Sequence, residues 1–326
     1  MLLKILTHIS RVFVGLLFIY SGFVKLVDPM GTMFKLEEYF SEAVLDLEFL
    51  TPMALVFAIL LVVSETVLGI MLLVGYKPKF TVWSLFAITL IFLFLTWYSY
   101  TYNKVTDCGC FGDAIKITPE QTFYKNVIFI GLIGILIAGL KYIKAIPSLK
   151  IASITTYASI AISLLITFYV LNHLPIIDFR AYSVGTNIAE GMKYKGDGEV
   201  PPIHDFEIST DDGDLLEEML VKDKAMLLLV NTVDKADEEG LHEVSKVAAA
   251  AKSKGYEIYV LSSDGMMYDE EELGKFKQKY NLPYIFGTCD GTAIKTAIRA
   301  NPGIITVNKG TIVGKWNWTD TDDVKL

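Results

Sequence analysis

The stretch Asp107-Cys108-Gly109-Cys110-Phe111-Gly112-Asp113 forms a short polar segment between two long apolar runs. The apolar runs decide the fold, and the segment between them contains two of the three cysteines in the chain. Two thiols separated by a single glycine are rarely explained by packing. The segment therefore leaves two main alternatives, which are thiol-disulfide chemistry and a static disulfide that closes a loop at a membrane surface.

Five apolar segments lie before residue 175, and each approaches the roughly 20 residues that a helix needs to cross a bilayer. They are residues 5–27, 53–76, 80–102, 124–142 and 151–172. Segments in lipid must satisfy their own backbone hydrogen bonds, which makes them helical. Hydrophobic residues make up 52% of the chain and charged residues 20%, and most of the charge follows the last apolar segment. The sequence predicts five transmembrane helices and then a soluble domain.

The basic residues of the connecting segments set the predicted orientation, since cytoplasmic loops carry the excess of Lys and Arg. With the N-terminus inside, the inner face holds Lys4, Arg11, Lys77, Lys79, Lys141, Lys144 and Lys150, and the outer face holds Lys35, Lys104, Lys116 and Lys125. We expect a bacterial inner-membrane protein with a cytoplasmic N-terminus and a periplasmic C-terminal domain. Residues 33–50 are expected to form either an amphipathic helix over the outer mouth of the bundle or a solvated connection. The formal net charge of -8 argues against a nucleic-acid partner.

Glu65 stands near the middle of the second transmembrane segment. A carboxylate at that depth is costly unless it is paired or protonated, so Glu65 is a candidate functional residue. Lys25 is its first candidate partner and Arg11 a weaker one. Three interpretations remain open, namely proton or quinone chemistry, a structural ion pair, and a hydrogen bond from a protonated Glu65 to a neighbouring Ser or Thr.

Cys108 and Cys110 are the candidate catalytic residues. A disulfide between them would close a very small ring that departs from relaxed geometry. Strained disulfides are the exchangeable ones, and the intervening glycine supplies the backbone freedom that closure requires. A static disulfide and two unreactive thiols are the alternatives. No further ligands stand at zinc-like spacing, so no metal site is predicted.

Three motifs of the membrane half resemble those of the DoxX/MauE superfamily. They are Gly22-x-x-Lys25-x-x-Asp28-Pro29, Glu65-x-x-x-Gly69 and Cys108-Gly109-Cys110-Phe111-Gly112-Asp113. The resemblance covers about residues 5–145 and implies a four-helix inner-membrane bundle. It also implies a link to the maturation of disulfide-rich periplasmic proteins or to quinol oxidation. A quinone is thus a candidate cofactor, and no cofactor is certain.

The second half of the chain alternates strands with helices after a linker that ends at Pro201-Pro202, which indicates a layered α/β domain. The order resembles the thioredoxin-like fold of the TlpA/peroxiredoxin branch, and the resemblance makes Pro302 the candidate cis-proline. It places the active-site turn after the strand Met226–Thr232, where residues 233–237 contain no cysteine. Cys289 is expected at a sheet edge, either inert or in transient disulfide exchange with the loop.

We therefore expect residues 1–150 to form a four-helix membrane domain, residues 151–200 a fifth helix and linker, and residues 201–326 a periplasmic thioredoxin-like domain. The first functional hypothesis is thiol-disulfide exchange through the Cys-Gly-Cys loop with a periplasmic protein, linked to a quinone, which would make the protein an oxidoreductase component. The alternative is a non-enzymatic assembly or scaffold protein whose degenerate thioredoxin-like domain binds that partner. The sequence does not set the oligomeric state.

Overall fold

The structure is a computed structural model that describes residues 1–105, 109, 111–115, 117–196, 200–264 and 269–326. The chain divides into two compact units, Met1–Leu171 and Asn172–Leu326. The first unit is helical, and the second is built around a mixed β-sheet.

The first unit contains the predicted membrane helices. Within the described residues, five helical segments are long and apolar enough to cross a membrane, which confirms that prediction. The helices are α1 (Leu2–Leu26), α2 (Pro29–Phe40), α3 (Ala54–Val74), α4 (Pro78–Tyr102), α5 (Pro119–Ala138) and α6 (Leu149–Asn172). A short 3₁₀ segment, Glu48–Met53, extends the span of α3 at its N-terminal end. The amphipathic α2 is the one helix of this set that is too short and too polar to be a membrane span.

Local sequence signals explain several helix ends. The Asp28 carboxylate accepts a hydrogen bond from the Gly31 amide (3.1 Å) at the start of α2, and Pro29 occupies the first helical position. Asp and Pro are favoured at these positions because one satisfies a free amide and the other has none to satisfy. At the other end of α3, Gly75 adopts φ +72°, a left-handed conformation that suits glycine. The Asp28-Pro29 pair is therefore a helix-start signal.

Over its described residues, the second unit is a seven-stranded sheet with helices on both faces. Its strands are β1 (Ser209–Thr210), β2 (Gly213–Asp214), β3 (Ala225–Val230), β4 (Glu257–Ser262), β5 (Ile285–Thr288), β6 (Gly303–Asn308) and β7 (Thr311–Asn317), in the spatial order β2-β1-β5-β4-β3-β6-β7. Strands β3, β4 and β5 are parallel, and β6 and β7 are antiparallel to their neighbours. The helices are α7 (Ile188–Gly191), α8 (Leu216–Val221), α9 (Glu238–Ser253), α10 (Glu270–Tyr280) and α11 (Gly291–Ala297).

The central strand β3 is buried on both faces because its side chains alternate between two cores. Ala225, Leu227 and Leu229 join one core with residues of α8 and α11, and the intervening residues join the other with α9 and α10. The Asn301–Pro302 peptide bond before β6 is cis. The mixed sheet, the helices on both faces and the final hairpin resemble the thioredoxin-like fold that the sequence predicts.

The predicted linker is different in the structure. Residues 172–196 belong to the second unit, where Tyr182 and Ile188 are fully buried in the core beside β3. The Ile188 amide donates to the Gly310 carbonyl (2.7 Å), and the Gly185 amide donates to the Ile312 carbonyl (2.8 Å). These contacts could not be predicted from the sequence, because the buried residues are isolated and do not recur with the period of a helix or a strand.

Candidate functional site

The close packing of α1 on α3 creates the site. A Cβ atom added to Gly22 of α1 would lie 2.4 Å from the Thr66 hydroxyl oxygen of α3, and one added to Gly69 would lie 2.9 Å from the Gly15 carbonyl oxygen. Small residues let membrane helices approach in this way. The glycines of the two sequence motifs therefore allow the charged residues of the same motifs to meet.

Lys25 and Glu65 form a buried ion pair between these helices. The Lys25 Nζ lies 2.6 Å from Glu65 Oε1 and 2.8 Å from Oε2, and the two residues are 4% and 0% exposed. The Ser21 hydroxyl donates to Glu65 Oε2 (2.8 Å), and Lys25 Nζ also donates to the Ser21 oxygen (3.1 Å). Each charge is thus compensated by the other and by a neutral hydroxyl, which is the condition for keeping a charge at this depth.

Of the two predicted partners of Glu65, Lys25 contacts its carboxylate and Arg11 does not. Ser21 is a further partner of the carboxylate. Arg11 instead donates to the Leu72 carbonyl (2.8 Å) and the Leu73 carbonyl (2.8 Å) at the end of α3. Arg11 is a helix cap, since the last carbonyls of a helix have no partner within it. The sequence left a Ser or Thr partner of Glu65 open without naming it, and the structure identifies Ser21, whose i, i+4 spacing from Lys25 puts both on one helix face.

Two small cavities border the pair. One of about 20 Å³ is lined by Lys25, Glu65, Ser21 and residues of α4 and α5, including Asn126. The other, of about 50 Å³, is lined by Lys25 and by residues of α2 and α4. A cavity needs about 10–15 Å³ to hold one water, so these volumes suit one water and a few waters respectively.

The described part of the cysteine loop lies beside the same cavities. Phe111 lines the first cavity and Gly109 the second. The Lys125 Nζ of α5 lies 4.5 Å from the centre of the Phe111 ring, and the Tyr20 ring of α1 packs 5.7 Å from it. A Cβ added to Gly109 would lie 3.2 Å from Lys35 Cγ of α2. The structure thus brings this part of the loop to the site of Lys25 and Glu65.

The candidate catalytic residues Cys108 and Cys110 lie outside the residues that the structure describes, and their role stays a prediction. The functional roles of Glu65 and Lys25 also stay predictions, while their contact is a structural fact. From the sequence, Lys125 was assigned only to the outer face, and Asn126 was not singled out. They begin the apolar part of α5, where a polar residue resembles an ordinary helix-end residue.

In the second unit, the position expected for a thioredoxin-like active site is occupied by a short 3₁₀ turn, Val233–Lys235. Asn301, next to the cis Pro302, secures this turn. Its side chain accepts from the Asn231 amide (3.0 Å) and donates to the Thr232 carbonyl (3.0 Å). The turn contains no cysteine, so this position has no thiol with which to perform disulfide exchange.

Cys289 follows β5 and is buried in the core, which corrects the expectation of a sheet edge. The short strand β1 pairs with β5 on the side away from β4 and covers it. Burial raises the pKa of the Cys289 thiol to about 12. Since the thiolate is the reactive form, the inert interpretation is the one that the structure supports.

Comparison with known proteins follows the division into two units. Residues 3–139 match the family of methylamine utilisation protein MauE. The MauE match covers α1 to α5, and with them the residues that build the Lys25–Glu65 site. With the five apolar helices, it makes the chain a membrane protein.

A solved structure, the solution structure of a thiol:disulfide interchange protein from Bacteroides sp., is similar to part of the chain. The two are 21% identical, the alignment covers 34% of this chain and 75% of the other, and the TM-score is 0.27. No curated protein sequence matches the chain.

Proposed function

We propose that this membrane protein exchanges thiols and disulfides through Cys108 and Cys110 with a protein partner in the periplasm. One observation carries the proposal: Gly109 and Phe111, the described residues nearest the two cysteines in sequence, line the cavities beside the buried Lys25–Glu65 pair. Nearby cations favour the thiolate form of a cysteine, and Lys35 and Lys125 lie beside Gly109 and Phe111.

The exchange proceeds in two balanced steps. The thiolate of one loop cysteine attacks the partner's disulfide, so that a mixed disulfide forms and the departing partner sulfur takes up a proton. The second loop thiol then loses its proton and attacks the mixed disulfide. The partner leaves as a dithiol, and Cys108 and Cys110 are left as a disulfide. Two electrons pass from the loop to the partner, and the reverse sequence oxidises the partner instead.

Lys25 and Glu65 are the groups that we assign to proton movement. Both steps transfer a proton between sulfur and a base, and a general base acts either by direct contact or through one water. The carboxylate of Glu65 accepts a proton, the ammonium of Lys25 releases one, and the neighbouring cavities have the volume of water molecules.

A quinone remains a predicted electron acceptor for the loop. The cavities beside Lys25 have volumes of about 20 and 50 Å³, far below the roughly 300 Å³ at which small-molecule pockets begin. The proposed exchange accordingly runs between proteins and includes no quinone step.

A second candidate function is that of an assembly or scaffold protein. The observation that favours it is the turn Val233–Lys235, which has no cysteine and is held by the side chain of Asn301. In this alternative the second unit binds a partner, and the Cys-Gly-Cys loop is a static clip. The two functions differ in whether a partner ever becomes covalently attached to the loop.

The test is to trap the mixed disulfide in cells. Cells that produce the full chain with Cys110→Ser are quenched with acid, alkylated and analysed on non-reducing gels, and Cys108→Ser is treated in parallel. At least one single variant is expected to accumulate an adduct that disappears on reduction, because the resolving thiol is missing. The double variant Cys108→Ser/Cys110→Ser is expected to show none.

The matched control is Cys289→Ser in the Cys110→Ser background, where the adduct should persist because Cys289 is buried. If neither single variant forms an adduct and the double variant keeps the phenotype of the parent protein, the exchange function is refuted and the scaffold function is favoured. An adduct that requires Cys289 would also contradict the assignment of the loop.

A further inference from the structure

The segment that follows α6 has an inverted arrangement of charged and apolar side chains. Ile176, Ile177 and Phe179 are 57%, 41% and 39% exposed, while Arg180, the next residue in sequence, is 4% exposed. Charged side chains normally face water and apolar ones the interior. The outer side of this segment is therefore suited to surroundings other than bulk water.

Internal partners satisfy the charges of the segment. Arg180 Nε donates to Asp178 Oδ1 (2.7 Å) and its Nη2 donates to Oδ2 (2.9 Å), a bidentate pair. Lys315 of β7 donates from the other side to Asp178 Oδ2 (2.6 Å) and to the Tyr182 carbonyl (3.0 Å). These bonds fix the backbone at residues 178–182, and the outward direction of the intervening Phe179 is fixed with it.

The position of the segment in the chain identifies what covers it. Ile176 is four residues beyond Asn172, the last residue of the membrane-spanning helix α6, so it lies within about 14 Å of the helix end. The side-chain amide of Asn317 donates to the Asn172 carbonyl (3.1 Å), a contact within the second unit that orders the chain where the segment begins. The headgroup layer of a bilayer begins where such a helix ends.

We propose that Ile176, Ile177 and Phe179 form a membrane-interface anchor, inserted into the headgroup and upper acyl region of the lipid bilayer that α6 spans. The partner is the lipid surface itself. Aliphatic and aromatic residues on a face that carries no free charge bind this region by burying apolar area, and their contact continues the lipid contact of α6. The proposal is independent of thiol exchange and holds for the scaffold function as well.

The test places an environment-sensitive fluorophore on the anchor in the full chain, reconstituted in phosphatidylcholine vesicles. Ile177→Cys and Phe179→Cys are labelled in a background with Cys108→Ser, Cys110→Ser and Cys289→Ala. The matched control is Val221→Cys at the end of α8, an exposed apolar position that is followed by Lys222, Asp223 and Lys224.

Labels at positions 177 and 179 are expected to emit at the blue-shifted wavelength of an apolar medium and to be quenched by lipids that carry a spin label near the headgroup. The label at position 221 is expected to emit as in water and to remain unquenched. Emission as in water at positions 177 and 179 would overturn the proposal. A blue shift without quenching by lipid would overturn it as well, because a protein would then cover the segment.

Discussion

Replacing Glu65 by Gln is expected to destabilise the membrane unit strongly while leaving its shape almost unchanged. The ammonium of Lys25 would stay buried without an opposing charge, with its hydrogen bond to Ser21 (3.1 Å) and the single amide oxygen of Gln in place of the two carboxylate oxygens. Removal of one partner from a buried ion pair costs about 3–5 kcal/mol. At about 1.4 kcal/mol per tenfold, this corresponds to a shift of roughly 10²- to 4 × 10³-fold in the folding equilibrium.

The assay is reversible unfolding of the full chain in mixed micelles, followed by the loss of helical circular dichroism. Ser64→Ala is the matched control, because it changes a neutral side chain next to Glu65 in the same helix and should alter stability by less than the charged variant. The double variant Lys25→Met/Glu65→Gln is expected to recover most of the loss, since replacing both charges of a buried pair is often neutral. A Glu65→Gln variant as stable as Ser64→Ala would refute the compensated ion pair.

The same double variant separates a structural from a chemical role of the pair. If Lys25 and Glu65 move protons for the loop, the double variant regains stability but forms the mixed disulfide of Cys108 or Cys110 more slowly than the parent protein. Recovery of both stability and adduct formation would show that the pair is structural and would contradict the assignment made above. The readout is the rate of adduct formation, measured from about pH 6 to about pH 9. This range includes the pKa of an ordinary thiol, which is roughly 8.5.

Three further predictions concern packing, pH and thiol reactivity. Gly22→Val should lower the free energy of unfolding by about 1–3 kcal/mol, because the new side chain overpacks against Thr66. Gly131→Val should not, because the space around Gly131 is open. Equal losses of stability in the same unfolding assay would contradict this prediction. Burial, helped by the charge of Arg180, lowers the pKa of Lys315 to about 7. Between pH 7 and the ordinary pKa of lysine, the unfolded chain thus binds more protons than the folded chain. As pH rises through this window, the unfolding free energy of the second unit should increase relative to that of Lys315→Met. Unfolding free energies that change in parallel with pH in the two proteins would exclude the lowered pKa of Lys315. Cys289, with its pKa raised to about 12, should react with maleimide about 10³-fold more slowly than an ordinary exposed thiol. The labelling rate is measured by mass spectrometry of the intact protein, and a rate comparable to that of an exposed thiol would show that burial does not protect Cys289.

The helices were predictable from sequence because their signals are local. Spans of apolar residues fix the five membrane helices, and alternating strand and helix patterns fix most of the second unit. The partnership of Lys25 with Glu65 was also within reach, since an unpaired carboxylate at that depth is too costly to persist. What the sequence could not show is the third member, Ser21, because serine is common in helices and carries no penalty that demands a partner.

Two predictions, the position of Cys289 and the linker after α6, differ from the structure for a common physical reason. Cys289 was expected at a sheet edge because sequence does not show the pairing of β1 with β5, which covers β5 on its outer side. The segment after α6 was expected to be a linker because its buried residues, Tyr182 and Ile188, are isolated in sequence. In both cases the decisive contacts join residues far apart in the chain, and composition alone indicates only a loop.

Buried charge has opposite consequences in the two units. In the membrane unit, glycines at positions 22 and 69 bring α1 and α3 so close that Lys25 and Glu65 pair directly and neutralise each other. In the second unit, Asp178 is drawn inward by Arg180 and Lys315, and the neighbouring apolar side chains are turned outward as a result. The first arrangement makes a charge tolerable inside a membrane. The second exposes apolar side chains that can contact a membrane surface. A variant such as Asp178→Asn should therefore disturb the anchor at Ile177, although it leaves every apolar residue in place.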